Sequence, residues 1–248
     1  MRELVGRMRA LEHRVHDAGA SRRVEWDGGV AYFNDELPLV WDVNFVRLDH
    51  DAEDVPGQVD RLQARQGHRK VLIEDPGLLE RHAPALVRRG YTRRGLVAMA
   101  REPGGALDPD ARELPYEQVK AFRYEVHMEQ LSPPNPKVAF QVGRVHDQTV
   151  PLTGERWLVI HVDGEPAGHC IVYSHGGLAQ IEDVGVLKRF RGHGLARRLI
   201  NHALELVALD HDTVMILAET DDWPGKFYER LGFERVEERA DFLLIIAS

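Results

Sequence analysis

Apolar and polar positions along this chain follow two rhythms that take turns. In "GLARRLINHALELVALD", residues Leu195, Leu199, Ile200, Ala203, Leu206 and Val207 return every three or four positions and so share one face of a helix. Short β-rich runs surround it: "RWLVIHVD", "AGHCIVYS" and "LAQIEDVGV" before, "TVMILAET" and "ADFLLIIAS" after. The tight "DGEP" at Asp163 to Pro166 predicts a hairpin between the first two. "PGKFYERLGF" reads as a short helix ended by Gly232, which suits a left-handed cap. Upstream lie two helix patterns, "YEQVKAFRYEVHMEQL" and "NPKVAFQVGRVHDQTV", the second opened by Asn135 as cap with Pro136 at the first helical position. Earlier still, "GHRKVLIEDP" and "TRRGLVAMARE" read as strands around "GLLERHAPALVRRGY", a helix interrupted near Pro84. The alternation predicts an α/β fold around a mixed sheet.

The seam between halves is "REPGGALDPDARELP", Arg101 to Pro115, where glycine, proline and aspartate gather. It predicts two units, residues 1–104 and 112–248. "ALVRRGYTRRGLVAMA" has the cadence of "KFYERLGFERVEERADFLL", and the runs before them, "VLIED" and "MILAETD", also agree in character. Two copies of one fold, the first diverged, account for a match spanning several elements.

Composition narrows the partners. With 43% hydrophobic residues in 248 the chain can bury packed cores, and a formal charge of −8 opposes binding to nucleic acid and slightly favours a cationic partner. Cys170 is the single cysteine, so no intrachain disulfide forms, and its strand-like setting reads as a small buried hydrophobe. The histidines are too scattered for a metal site. The first residues hold no uninterrupted apolar run, so the expectation is a cytoplasmic protein with no membrane segment.

The chemistry centres on "VLKRFRGHGLARR". Gly192 and Gly194 sit in a turn between a strand ending near Val186 and a helix beginning near Gly194, where the first helical amides lack partners and the helix dipole favours an anion. Glycines let a ligand reach the backbone. No GK[ST] follows, and the GxGxxG spacing fails.

This RxxGxA run, the preceding "IEDVGV" and the downstream "FYERLGFE" together resemble the GCN5-related N-acetyltransferase (GNAT) family over roughly residues 116 to 246. The resemblance implies a mostly antiparallel twisted sheet flanked by helices, here in two lobes, the first degenerate. It implies acetyl-CoA as co-substrate, its pyrophosphate held by the amides of Arg191, Gly192, His193, Gly194, Leu195 and Ala196. Its pantetheine arm would pair with Val184, Gly185 and Val186, in a wedge where strands 181–186 and 213–219 splay apart. Tyr228 matches the family tyrosine that protonates the departing thiolate, or else packs the short helix. Several family members carry a glutamate at the position of Gln180. Glu182, two residues on and on the same strand face, is the candidate base or a residue orienting the acceptor, whereas Asp183 is expected on the opposite face. At Asp221 to Trp223, "DDW" stands where many relatives carry an asparagine that anchors the arm.

The first half has only "AEDVPGQVDRLQARQGHRK" where its own turn would be, with Pro56 and a single Gly57, and is expected to shape the acceptor cleft or stabilise the pair without binding acetyl-CoA. The expected function is transfer of an acetyl group to a primary amine of a small molecule or peptide, by direct attack in a ternary complex. A non-catalytic acyl-CoA sensor is the alternative, a phosphate-binding protein of another class is a third reading, and a homo-oligomer stays open.

Overall fold

In chain order the computed structural model, which describes residues 1–220 and 223–246, begins with α1 (Arg2–Gly19), β1 (Arg22–Trp26), β2 (Gly29–Phe33), β3 (Phe45–Leu48), α2 (Val55–Leu62), β4 (His68–Ile73), α3 (Pro76–Arg88) and β5 (Thr92–Arg101). After the seam come β6 (Ala111–Leu114), α4 (Tyr116–Gln130), α5 (Pro136–Thr153), β7 (Arg156–Val162), β8 (Glu165–His175), β9 (Leu178–Val186), α6 (Leu195–Leu206), β10 (Thr213–Glu219), α7 (Trp223–Glu229) and β11 (Glu234–Ile245). The strands form one mixed, mostly antiparallel sheet in the order β1-β2-β3-β4-β11-β5-β10-β9-β8-β7-β6.

The repeat read from the sequence is present in the topology. β1, β2 and β3 step across antiparallel, α2 crosses over to parallel β4, and α3 leads to β5; β7, β8, β9, α6, β10, α7 and β11 retrace that path. Both α3 and α7 end alike. Gly90 and Gly232 take positive φ (96° and 85°), and the next amide, of Tyr91 or Phe233, reaches back to the carbonyl of Leu86 or Tyr228 at 3.1 Å. Tyr228 thus occupies the place that Leu86 has in the first half.

The two halves exchange strands: β11 lies between β4 and β5, and β5 lies between β11 and β10. The seam is strapped across α6. Gly104 N donates to Leu204 O (3.1 Å), Asp108 N to His202 Nδ1 (3.0 Å), and Arg198 grips Asp108 through two bonds of 2.7 and 2.8 Å. A Cβ on Gly105 would lie 2.3 Å from Asn201 O, so only glycine lets the strap lie this close.

Local chemistry explains most elements. Asn135 Oδ1 accepts from the amides of Lys137 and Val138 (3.1 and 3.2 Å), capping α5 as its Asn-Pro start predicts. Asp163 and Gly164, at φ 50° and 82°, make the β7–β8 hairpin. α6 buries Leu195, Leu199, Ile200 and Ala203 against β7, β8 and β9, each leucine contributing about 1.5–3 kcal/mol. The expected interruption at Pro84 does not occur: α3 is continuous from 76 to 88. Pro84 lies on the exposed face, where water can take the carbonyl freed by its missing N–H.

Candidate active site

Parallel β9 and β10 pair only from Leu178 to Ile181 against Thr213 to Ile216. Beyond that they part, as expected for a wedge. Residues 182–186 of β9 continue along β8 alone. A bulge sits here: Ile171 faces Glu182, His169 faces Gly185, and Asp183 has φ 51°. The bulge breaks strand alternation, so Glu182 and Asp183 line the same cavity, and Asp183 is not turned to the opposite face as alternation predicts. A side chain at Gly185 would put its Cβ 2.7 Å from Val126 Cγ1 and 3.0 Å from His169 Cε1, because α4 crosses the strand there. Val184 and Val186 are half-buried against the core under α6.

The glycine turn follows at once. Gly192 and Gly194 have φ 84° and 74°, Gly194 is the N-cap of α6 with no side chain capping it, and a Cβ built on either glycine meets nothing within 4 Å. Among the described residues, no group accepts from the amides of Gly192, His193, Gly194, Leu195 or Ala196. Arg191 differs from expectation. Its amide donates to Lys188 O (3.2 Å) and its Nε to Val186 O (2.9 Å), so it braces the turn against the end of β9. Five free amides at a helix start make an anion cradle, and the residues present fit a diphosphate.

A cavity of about 480 Å³ opens where the strands part, and both lips of the wedge belong to its wall: Glu182 and Asp183 on β9, Leu217 to Glu219 on β10. The first half supplies much of the remainder, including Glu12 and His16 from α1, Lys70 from β4 and Arg94 from β5. Six acidic side chains line it (Glu12, Asp42, Glu182, Asp183, Glu219, Asp241) against four basic ones (Lys70, Arg94, Arg123, Arg239).

Five of those acids have cationic partners: Asp42 and Asp241 meet Lys70, Asp241 and Glu219 meet Arg94, Asp183 meets Arg123 at 2.8 Å, and Glu12 meets Arg239 at 2.6 Å. Glu182 has none among the described residues; it accepts a hydrogen bond from Gln180 Nε2 at 2.9 Å. Burial pushes its carboxyl up to about 7, with the Gln180 bond opposing, and the negative charges of Glu12 and Asp183 add to the rise. For Asp183 burial pulls the same way, but Arg123 and His169 outweigh it and hold that carboxyl well below the usual range. Two adjacent carboxylates are thereby set apart, one fixed as an anion and one able to gain or lose a proton near neutrality.

Tyr228 is 8% exposed and packs against Phe227, tilted, and Phe233, edge-on, with ring centroids 5.4 and 6.1 Å away. It packs in the core beneath α6 and is not part of the cavity wall. Burial raises its phenol, and the charge of Glu182 raises it further, so it remains a proton donor throughout the neutral range. Cys170 is fully buried and its thiol pushed up, as a packing residue requires. Asp221 and Asp222 lie outside the described residues. Among the described residues, no group of three or more His, Cys, Asp or Glu is arranged to hold a metal, and no helix is long and apolar enough to cross a membrane.

Sequence reasoning missed Arg123, His127 and His169, and it expected the first half to shape the cleft without naming the side chains that do so. α1 did leave a signal, since Leu4, Met8, Leu11 and Val15 recur at helical spacing and pack in one cluster.

Comparison with known proteins places this geometry. Residues 153–235 match the family model of the acetyltransferase (GNAT) domain. A functionally unknown conserved protein from Staphylococcus epidermidis superposes with a TM-score of 0.72 at 17% identity, covering 91% of this chain and 94% of that one. A GCN5-related N-acetyltransferase from Kribbella flavida gives 0.64 at 19% identity, covering 95% and 94%. A tandem GNAT protein from the clavulanic acid biosynthesis pathway gives 0.52 at 16% identity, covering 94% and 88%. These likenesses extend the fold to nearly the whole chain.

Proposed function

The carboxy-terminal part of this chain being a domain of the GNAT acetyltransferase family, we propose that the protein transfers an acetyl group from acetyl-CoA to a primary amine held in the cavity between its two halves. One observation carries the reading: β9 and β10 separate immediately before Glu182, so that the proton-accepting carboxylate and both lips of the wedge share one cavity.

When bound, acetyl-CoA supplies the thioester that the amine attacks. The amides of Gly192 to Ala196 would hold the diphosphate, and the backbone of Val184 to Val186, which no strand pairs on the wedge side, would hydrogen-bond the arm, except through Val186 O, which already accepts from Arg191 Nε. Glu182 takes the ammonium proton of the acceptor, directly or through water, to leave a neutral nucleophile. Asp183, kept ionised by Arg123 and His169, stays out of the proton transfer and fixes the bulge. Tyr228, beside the cavity wall and not part of it, is assigned the proton that the departing sulfur takes, and the nitrogen of the attacking amine returns one to the phenol, so that amine and thioester give amide and thiol.

Mixing the protein with acetyl-CoA and a panel of primary amines should release free thiol, and no release from any amine contradicts the reading. Burial of Tyr228 to 8% exposure favours a second reading, a non-catalytic acyl-CoA sensor. That predicts saturable coenzyme A binding with no turnover, unchanged by Tyr228→Phe.

A further inference from the structure

Several side chains of the cavity wall carry buried polar atoms without a partner. Gln180, 4% exposed, spends its Nε2 on Glu182 and leaves Oε1 unpaired. Arg123, also 4% exposed, spends its Nε on Asp183 and leaves Nη1 unpaired. His127, one turn further along α4, leaves Nε2 unpaired. An unsatisfied buried group costs about 1–3 kcal/mol, so their gathering in one cavity marks where a ligand's polar atoms belong.

Their chemistry is complementary at two points. Gln180 Oε1 accepts, beside Glu182, and so suits the N–H groups of an amine. Arg123 Nη1 donates, and His127 Nε2 can do the same, so the pair suits an oxygen. Burial and the Arg123 charge lower the pKa of His127 and outweigh Asp183 and a hydrogen bond with Gln130, which pull the other way. The guanidinium of Arg123 is already matched by Asp183 at 2.8 Å, and the wall holds six acids against four bases. A further carboxylate would be repelled, whereas a neutral carbonyl is accommodated. Gln180 and Arg123 are hydrogen-bonded to Glu182 and Asp183, chain neighbours with Cα atoms about 3.8 Å apart, so the two points lie on adjoining parts of one wall. Val15, Val40, Phe45, Leu72, Val142 and Leu217 supply an apolar wall for a side chain.

Building on the acetyl-transfer reading, we propose that the acceptor is an α-amino amide with an apolar side chain, its amine on Gln180 Oε1 and Glu182 and its carbonyl oxygen on Arg123 Nη1 and His127 Nε2. Proton transfer agrees with this choice. An α-amino group beside a carbonyl titrates at about 8, close to Glu182 at about 7, whereas an alkylamine at about 10.4 holds its proton much more tightly.

The test is a matched set: leucinamide, leucine and 3-methylbutylamine as acceptors, read by thiol release, with their N-acetylated products titrated into the coenzyme A-bound protein by calorimetry. The products carry no titrating amine, which removes differences in basicity. Leucinamide should exceed both others by about tenfold or more in kcat/KM, and its product should bind tightest by a similar factor. His127→Phe should narrow both gaps. Equal or better use of leucine or 3-methylbutylamine, with no binding preference among products, overturns the amide assignment and leaves acetyl transfer standing. No turnover with retained preference for the amide product supports the assignment and removes the acetyl-transfer reading. Neither turnover nor preference overturns both.

Discussion

The two halves carry one topology and differ most for function where each sends a helix from one parallel strand to the next. In the second half α6 begins with an uncapped glycine at φ 74°, its first amides free, and β9 and β10 part after four paired residues. In the first half α2 begins with Asp54, also left-handed at φ 46°, whose own carboxylate accepts from Gly57 N at 3.2 Å. Pro56 has no amide to offer, and β3 and β4 stay paired to their ends, Leu48 against Ile73. The corresponding position to Tyr228 is Leu86, fully buried and without a hydroxyl. On the proposed reading the first half has no diphosphate site, because its helix start is filled by an internal anion and its wedge is closed, with the fold unchanged. The first half is kept for its strands and for the cavity wall.

Transplanting the difference gives the largest expected effect. Gly194→Asp places at α6 the cap found at α2, and should weaken coenzyme A binding by about 100-fold, close to 3 kcal/mol, in calorimetry. Stability should fall by only about 1 kcal/mol, because aspartate is among the residues that tolerate this backbone. Unchanged affinity would show that the turn does not hold the anion.

Next comes Glu182, whose counterpart is absent from the first half. Glu182→Gln should lower kcat by about 10²-fold with little change in coenzyme A affinity. For the unaltered protein kcat/KM should rise with pH through about 7, as Glu182 loses its proton, and the variant should lack that limb. The stability consequence has the opposite sign. Glu182 is raised from 4.5 to about 7 on folding, so its contribution is full below pH 4.5 and is lost as pH rises through 7. The variant should melt higher than the unaltered protein at pH 8, by about 1 kcal/mol, and should not at pH 4. A pH-independent difference would contradict the assignment.

Tyr228→Phe makes the second half resemble Leu86 of the first. It should lower kcat by about tenfold and leave binding intact. The smallest effect is expected in the reverse direction. Asp54→Gly uncaps α2 at a cost of a few tenths of a kcal/mol, and should create no second coenzyme A site, because β3 and β4 remain closed. A second equivalent of binding would show that the carboxylate alone silences the first half.

How much of this could be read from residues alone depends on how local the cause is. The glycine turn, the Asn135 cap, the Asp163–Gly164 hairpin and the Gly232 stop each depend on one or two residues, and each was legible. The separation of β9 from β10 was legible only through family resemblance, since no local rhythm encodes where two strands stop pairing. The bulge was not: Asp183 at φ 51° breaks the alternation that a regular strand over "QIEDVGV" would keep. The exchange of β5 and β11 joins residues more than a hundred apart, and the cavity inherits that distance by combining Glu12 and Lys70 with Glu182. Glu182 could be named as a candidate, but its proton affinity depends on burial between the halves.

The most direct measurement is calorimetric titration of acetyl-CoA into the intact protein. One equivalent per chain is expected, with saturation. Two equivalents would mean that the first half also binds, and none would mean that the open turn of α6 is not a cofactor site.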